Sequence, residues 1–163
     1  MKRHESLREL SQEHHLGLVE ARALRRAAAA EPQAAAAAAR RFLSFSERAL
    51  TSHFRTEEEV LLPYWSRHVP ADDPLLARTL VEHVRLRRAA LEIGGQLDRG
   101  EDVRGELGRA GELLHDHIRF EERELFPAVE QALDEAELLA IAARRSGDGP
   151  RCAAGAPPPR SPA

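Results

Sequence analysis

The chain has 163 residues, of which 31% are charged and 4% are aromatic, and its formal net charge is -3 at pH 7. Alanine, leucine, arginine and glutamate dominate, which favours helix and argues against a sheet protein. A charge so close to balance predicts no nucleic-acid or membrane partner. The first residues lack the apolar stretch of a signal peptide, and Cys152 is the single cysteine. We therefore expect a cytoplasmic protein without an intrachain disulfide.

The spacing of apolar residues predicts two long helices in the first part of the chain. The first is expected over residues 6–30, and the pair Glu31-Pro32 breaks it. The second is expected over residues 33–62. Pro63 follows directly and should end or kink that helix, because proline lacks the N–H group that a helix interior requires.

Two further long helices and a short one follow. Asp73-Pro74 predicts a helix start, with aspartate as the cap and proline at the first position. The third helix is expected to run to about Leu97 and the fourth over residues 101–133. Asp134 could then cap a short fifth helix that ends at Ala143.

Four long helices joined by short loops predict an all-α protein, folded as an antiparallel up-down four-helix bundle with a possible short fifth helix. We expect this domain to occupy residues 1–145. Residues 146–163 are rich in glycine, proline and alanine. Such a composition is typical of a disordered tail.

One sequence pattern, His-x-Arg-x-Glu-Glu, occurs twice. It begins at His53 and again at His117, and each copy continues to two apolar residues and a proline. Glu57 and Glu121 therefore stand four residues after a histidine. Four residues is just over one helical turn, so each pair shares one helix face, about 6 Å apart along the axis. Such a pair can bind one metal ion, and two pairs on facing helices could hold two ions.

Histidines also interrupt the apolar stripes of the other two long helices. His14 lies on the stripe of the first helix and His83 on that of the third. Buried charged groups are tolerated when they are paired or bind a metal. Imidazole and carboxylate ligands suit iron, and also zinc or manganese. The absence of cysteine ligands argues against a zinc finger or an iron–sulfur cluster.

In these residues the chain resembles the hemerythrin-like family, also called the HHE cation-binding domain, over roughly residues 1–133. The family has a histidine on the first and third helices, and His-x-x-x-Glu on the second and fourth. An acidic residue precedes the first-helix histidine, as in Glu13-His14, and Glu82-His83 is the match on the third helix. The last motif is often followed by Leu-Phe-Pro, as in Leu125-Phe126-Pro127.

The resemblance implies a non-haem di-iron site with two Fe ions inside the bundle. The implied ligands are His14, His53, Glu57, His83, His117 and Glu121, with both glutamates bridging. Oxygen-carrying hemerythrins use five histidines, two of them one turn apart on the third helix. Here Thr79 and Arg87 occupy the positions one turn from His83. His15, a water or another carboxylate could substitute for the missing ligand.

The residues beside the ligands and the remaining histidines carry weaker signals. We expect Glu58 and Glu122 to face away from the metal, where they could accept hydrogen bonds. His4 is expected at the surface. His115 follows Glu112 at the Glu-x-x-His spacing of ferritin-like sites, but only one copy of that motif is present, which indicates coincidence.

The leading functional prediction is a non-haem di-iron protein that binds or senses O2, NO, peroxide or iron itself. Binding or sensing is favoured over catalysis, with peroxide handling as a side activity and the protein partner unknown. One alternative is a structural metal ion, such as zinc or a single iron, that stabilises a helical bundle acting as a protein-interaction module. Its removal would unfold the chain without redox behaviour. The other alternative is a metal-free helical module, which would tolerate leucine at His53 and His117.

Overall fold

The computed structural model describes residues 3–145, and every regular element in that range is helical. The helices are α1 (Glu5–Ala27), α2 (residues 32–65), α3 (Pro74–Asp98), α4 (residues 104–132) and α5 (Glu135–Arg145). The predicted tail, with Cys152, lies outside the described residues. The all-α prediction is confirmed, and α5 supplies the short fifth helix.

Two helix boundaries differ from the prediction for local reasons. α1 ends at Ala27, and residues 28–30 continue as a turn. Glu31 must leave the helical conformation because the residue before a proline disfavours it, and its ψ is 148°. α4 begins at Arg104 rather than at residue 101, because the Asp102 carboxylate accepts a hydrogen bond from the Arg104 N–H and holds a turn.

The start of α3 follows the predicted capping pattern. The Asp73 carboxylate accepts hydrogen bonds from the N–H groups of Leu75 and Leu76, and Pro74 occupies the first helical position. These bonds satisfy two N–H groups that have no partner inside the helix. α3 therefore starts at a defined residue, which fixes the rotation of its buried face.

α2 and α4 are continuous helices that widen into π turns before their prolines. The π turns span Glu57–Leu61 in α2 and Glu121–Leu125 in α4, and each is followed two residues later by Pro63 or Pro127. A proline removes one helical hydrogen bond and crowds the carbonyl four residues earlier. The wider turn accommodates that crowding, so α2 passes through Pro63 instead of ending there.

The four long helices form the predicted antiparallel up-down bundle. α1 packs against α2 and α4, and α3 packs against the same two helices from the other side. α1 and α4 approach closely at Gly111, where an added Cβ would lie 2.9 Å from the Ala21 carbonyl oxygen. α5 lies across α1 and the π turn Glu57–Leu61 of α2.

The apolar core is divided into two clusters along the bundle axis. The first cluster includes Leu24, Phe42, Leu86, Leu107 and Leu114, and the second includes Leu7, Leu61, Leu125, Phe126 and Ile141. On α4, His117 and Glu121 lie between Leu114 of the first cluster and Leu125 of the second. A polar layer therefore separates the two clusters.

None of the helices in residues 3–145 combines the length and apolar character needed to cross a lipid bilayer.

Candidate metal centre

The structure brings six of the seven predicted ligand residues together in the polar layer. These are His14, His53, Glu57, His83, His117 and Glu121, and none is more than 6% exposed. His15 is not among them, because it lies exposed on the solvent side of α1. Successive helical residues are rotated by about 100°, so a residue next to the buried His14 faces away from the centre.

The six residues form two ligand groups that share both carboxylates. The first ligand group contains His14 and His53, and the second contains His83 and His117. Glu57 and Glu121 belong to both groups, and the candidate ligand atoms within each group lie within 4.8 Å of one another. Each ligand group thus offers two imidazoles and two carboxylates to one metal position. The two metal positions are adjacent and share both carboxylates.

Glu57 directs one carboxylate oxygen toward each group. Its Oε1 lies 3.4 Å from Nε2 of His53 in the first ligand group. Its Oε2 lies 3.2 Å from Nε2 of His83 in the second. The two oxygens of one side chain therefore face two different positions.

Glu121 repeats this arrangement from the opposite side. Its Oε2 lies 3.0 Å from Nε2 of His14, and its Oε1 lies 3.2 Å from Nε2 of His117. A carboxylate with its oxygens divided in this way has the geometry needed to bridge two cations. The duplicated His-x-x-x-Glu pattern in the sequence produces this twofold similarity.

Several inward-facing atoms of the centre lack a hydrogen-bond partner. They are both carboxylate oxygens of Glu57, both of Glu121, and Nε2 of His83 and of His117. Leaving buried carboxylates without a partner is costly, and a bound cation would supply the missing interactions. The donor set of imidazole nitrogen and carboxylate oxygen fits iron, zinc or manganese.

Charges inside the layer are strongly coupled. Burial lowers the pKa of His53, but the Glu57 charge and the hydrogen bond to Glu13 outweigh it and raise the pKa to about 10. Burial also lowers the pKa of His83, yet the Glu121 and Glu57 carboxylates that approach its Nε2 raise it to about 9. In the metal-free protein these imidazoles retain protons that a cation would displace.

Each ligand histidine turns its other ring nitrogen toward an outer carboxylate. The Nδ1 pairs are His14–Glu122 at 2.7 Å, His53–Glu13 at 2.7 Å, His83–Glu58 at 2.8 Å and His117–Glu82 at 3.0 Å. A carboxylate at Nδ1 keeps a proton on that nitrogen, so Nε2 is the nitrogen that would bind a metal once its own proton is displaced. The four rings are therefore oriented for ligation before any ion binds.

Each outer carboxylate in turn contacts an arginine. The pairs are Glu122–Arg3, Glu13–Arg145, Glu58–Arg87 and Glu82–Arg78, all at 2.8 Å. Glu58 and Glu122 accept hydrogen bonds away from the inner layer, as their sequence positions predict. The roles of Glu13 and Glu82 were missed, although each directly precedes a ligand histidine. The 100° rotation between neighbours turns each toward a ligand on an adjacent helix.

On the third helix, the two positions one turn from His83 carry no histidine, and the residues there make other contacts. Arg87, one turn after His83, forms its ion pair with Glu58. Thr79, one turn before, donates its hydroxyl to the Leu75 carbonyl. In the part of the chain that the structure describes, neither ligand group contains a fifth imidazole.

The remaining histidines lie away from the centre. His4 caps α1, with Nδ1 accepting a hydrogen bond from the Ser6 N–H. His68 pairs with Glu137 at 2.8 Å. His115 contacts its neighbour Asp116 near the surface and contributes to neither ligand group.

A cavity of about 210 Å³ lies beside the first ligand group. His14 and His53 form part of its wall, and apolar side chains such as Leu50 and Ile118 form much of the rest. Gly17 also lines it, and an added Cβ there would lie 2.6 Å from Cδ1 of Ile118. The space is suited to a small, weakly polar molecule.

The fold and the site define a four-helix bundle with a buried cation-binding layer. The family model of the hemerythrin HHE cation binding domain matches residues 4–129. The chain therefore belongs to the hemerythrin HHE family, and the predicted resemblance is confirmed. Comparison with curated proteins and with solved structures gave no match. The matched range contains all six residues of the two ligand groups and ends before α5.

Proposed function

We propose that this protein holds a non-haem di-iron centre and uses it to bind or sense O2, NO or peroxide. The division of both buried carboxylates between the two ligand groups carries this proposal. Glu57 and Glu121 each face both groups with separate oxygens. A single ion bound at one ligand group would contact one oxygen of each glutamate and leave the other oxygen without a cation.

The donor set is one that non-haem iron uses. Each group combines two imidazoles with carboxylates, the type of set that holds non-haem ferrous iron with open positions. Four outer glutamates add negative charge around the layer, and their arginine partners hold them in place. Zinc and manganese remain alternative occupants of the same donors.

The cavity supplies access to the first ligand group. Ferrous iron, when bound, would supply electrons to a diatomic molecule or peroxide. The apolar side chains around the cavity limit the entry of water, and Gly17 lets the Ile118 side chain approach the α1 backbone at its wall. The imidazoles of His14 and His53 face this space, so a small molecule would approach the centre from their side.

Iron stoichiometry in half-site variants tests the di-iron proposal. Protein loaded with ferrous ion without oxygen should hold two irons per chain. His53→Gln and His117→Gln should each retain about one, because each removes a ligand from one group only. His68→Gln is the control, since His68 pairs with Glu137 and contributes to neither group. One iron in the unsubstituted chain, or equal loss in the control, would contradict the proposal.

The entry route for the small molecule can be tested separately. Ala49 is exposed and lines the cavity, so Ala49→Trp should narrow its mouth without filling the core. We expect the absorption change after adding NO to the ferrous protein to slow several-fold, with iron content unchanged. Ala37→Trp, at an exposed position elsewhere on α2, is the control. No absorption change in the iron-loaded protein with NO, air or peroxide would contradict the small-molecule function.

A further inference from the structure

We propose that α5 is part of the metal-binding apparatus, with Arg145 as a positioning residue for the ligand His53. The contact runs through one carboxylate. An Arg145 guanidinium nitrogen donates to Oε1 of Glu13 at 2.8 Å, and Oε2 of Glu13 lies 2.7 Å from Nδ1 of His53. This inference rests on the proposed metal-binding function of the two ligand groups.

The position of Arg145 is well defined by its surroundings. Its side chain is 12% exposed and lies between two carboxylates of α1, Glu9 at 3.3 Å and Glu13 at 2.8 Å. Leu138 and Ile141 of the same helix are buried in the second apolar cluster. Burial of these two side chains docks α5 on the bundle, and the docked helix delivers the guanidinium to Glu13.

The other three outer carboxylates are held from inside the bundle or from the segment before it. Arg78 and Arg87 belong to α3, and Arg3 directly precedes α1. Arg3 and Arg145 both lie outside the family match at residues 4–129, and Arg145 is the one of the two that belongs to a helix. The fifth helix therefore holds one of the four outer carboxylates from outside the matched range.

The consequence is specific to one half of the centre. His53 belongs to the first ligand group and not to the second. Glu13 also lines the cavity next to that group. Holding Glu13 through Arg145 fixes the ring of His53 and one edge of the cavity together. Loss of the Arg145 contact would loosen His53 of the first ligand group without touching the imidazoles of the second.

The first test uses the metal-free protein, so it does not depend on any bound ion. In nitrogen-15 NMR spectra, the Nδ1–H of His53 should be protected from exchange with water. Arg145→Gln should accelerate that exchange several-fold, because Glu13 loses its anchor. Arg145→Lys, which keeps the cation, should restore part of the protection. Unchanged exchange in Arg145→Gln would overturn the proposal.

The second test is a titration with cobalt(II) as the probe, followed by its visible absorption. Arg145→Gln should weaken binding of one cobalt equivalent several-fold, less than the roughly tenfold or greater loss expected when Glu13, the direct partner of His53, is removed. The other equivalent should keep its affinity. Equal weakening of both equivalents would contradict a role confined to the first ligand group.

Arg144→Gln is the matched control for both tests. Arg144 adjoins Arg145 on α5 and lies over the Tyr64 ring, 5.3 Å from its centroid. Its loss removes the same charge without touching Glu13, so exchange and cobalt affinity should stay unchanged. An equal effect in this control would overturn the proposal. If the unsubstituted chain binds no cobalt, the proposed metal-binding function is wrong. The NMR exchange measurement on the metal-free protein still tests whether Arg145 holds Glu13 against His53.

Discussion

Each ligand histidine uses its two ring nitrogens for different tasks. Nε2 faces the inner carboxylates, and Nδ1 contacts an outer carboxylate that an arginine holds. At His83 this outer partner is Glu58, whose own partner is Arg87. Glu58 and Arg87 therefore orient the His83 ring, although they do not face the positions that a metal would occupy. Removal of such a partner typically costs about 10- to 100-fold in metal affinity.

Substitution of Glu58 tests this arrangement. Glu58→Gln removes the charge that holds Nδ1 of His83, and we expect metal affinity to fall about tenfold. Binding isotherms with cobalt(II) measure the loss. Glu59→Gln is the control, because Glu59 is 60% exposed and pairs only with Arg55 on the surface. An equal loss in both variants would contradict an orienting role for Glu58.

The pH dependence of the metal-free protein follows from the shifted pKa values. The pKa of His53 is raised from 6.5 to about 10, so its stabilising contribution is complete below pH 6.5 and lost as pH rises toward 10. The pKa of Glu122 is lowered from 4.5 to about 2, so its contribution is complete above pH 4.5 and lost on acidification.

We therefore expect the metal-free protein to be most stable between about pH 4.5 and 6.5. Above that window its free energy of unfolding should fall by up to about 1.4 kcal/mol per pH unit for each such imidazole. Chemical denaturation at pH 6, 8 and 10 measures the decline. A constant free energy of unfolding across these values would contradict the coupling between imidazoles and carboxylates.

At the scale of the helices, the π turns place the ligand glutamates. Glu57 and Glu121 each open a π turn that ends before a proline. The prolines were visible in the sequence, and they predict a disturbance of each helix. Whether that disturbance ends, kinks or widens the helix depends on its packing on neighbours. Sequence periodicity alone therefore placed the end of the second helix too early.

The close approach of α1 and α4 gives a prediction of its own. Gly111→Ala places a Cβ 2.9 Å from the Ala21 carbonyl oxygen and 2.9 Å from Cγ of Arg25. Because backbone must move, we expect a loss of about 1–3 kcal/mol in stability. Gly105→Ala is the control, since its Cβ would meet the Arg109 side chain at 3.6 Å, an ordinary contact. Equal stability of the two variants, measured by urea denaturation, would contradict this close approach.

At the scale of the whole molecule, a layer of charged groups divides the apolar core in two. The heptad-like stripes predicted both the bundle and the six inner residues, because ligands replace leucines at regular core positions. The stripes did not reveal which outer glutamate pairs with which histidine. Glu82 lies beside His83 in sequence, yet it contacts His117 on α4. Which glutamate meets which histidine depends on how two helices are rotated and shifted along their axes relative to each other. The apolar pattern of one helix does not encode that relation.

This layer predicts a strong effect of metal removal on stability. A cation that binds only the folded chain adds about 2.7 kcal/mol when present at 100 times its dissociation constant. We therefore expect the midpoint of thermal unfolding to rise by several degrees on loading with ferrous ion, and to return after chelation. The double variant His53→Gln with His117→Gln should show little rise. A similar rise in that variant would contradict binding at the two ligand groups.

The most direct measurement is iron X-ray absorption of protein loaded with ferrous ion under anaerobic conditions. Two irons bridged by Glu57 and Glu121 predict a metal–metal scattering distance of about 3.5–4 Å, as in other two-metal sites. The nearest ligand atoms should be nitrogen and oxygen, without sulfur. Iron bound without any metal–metal scattering, or with sulfur ligands, would contradict a shared-carboxylate centre.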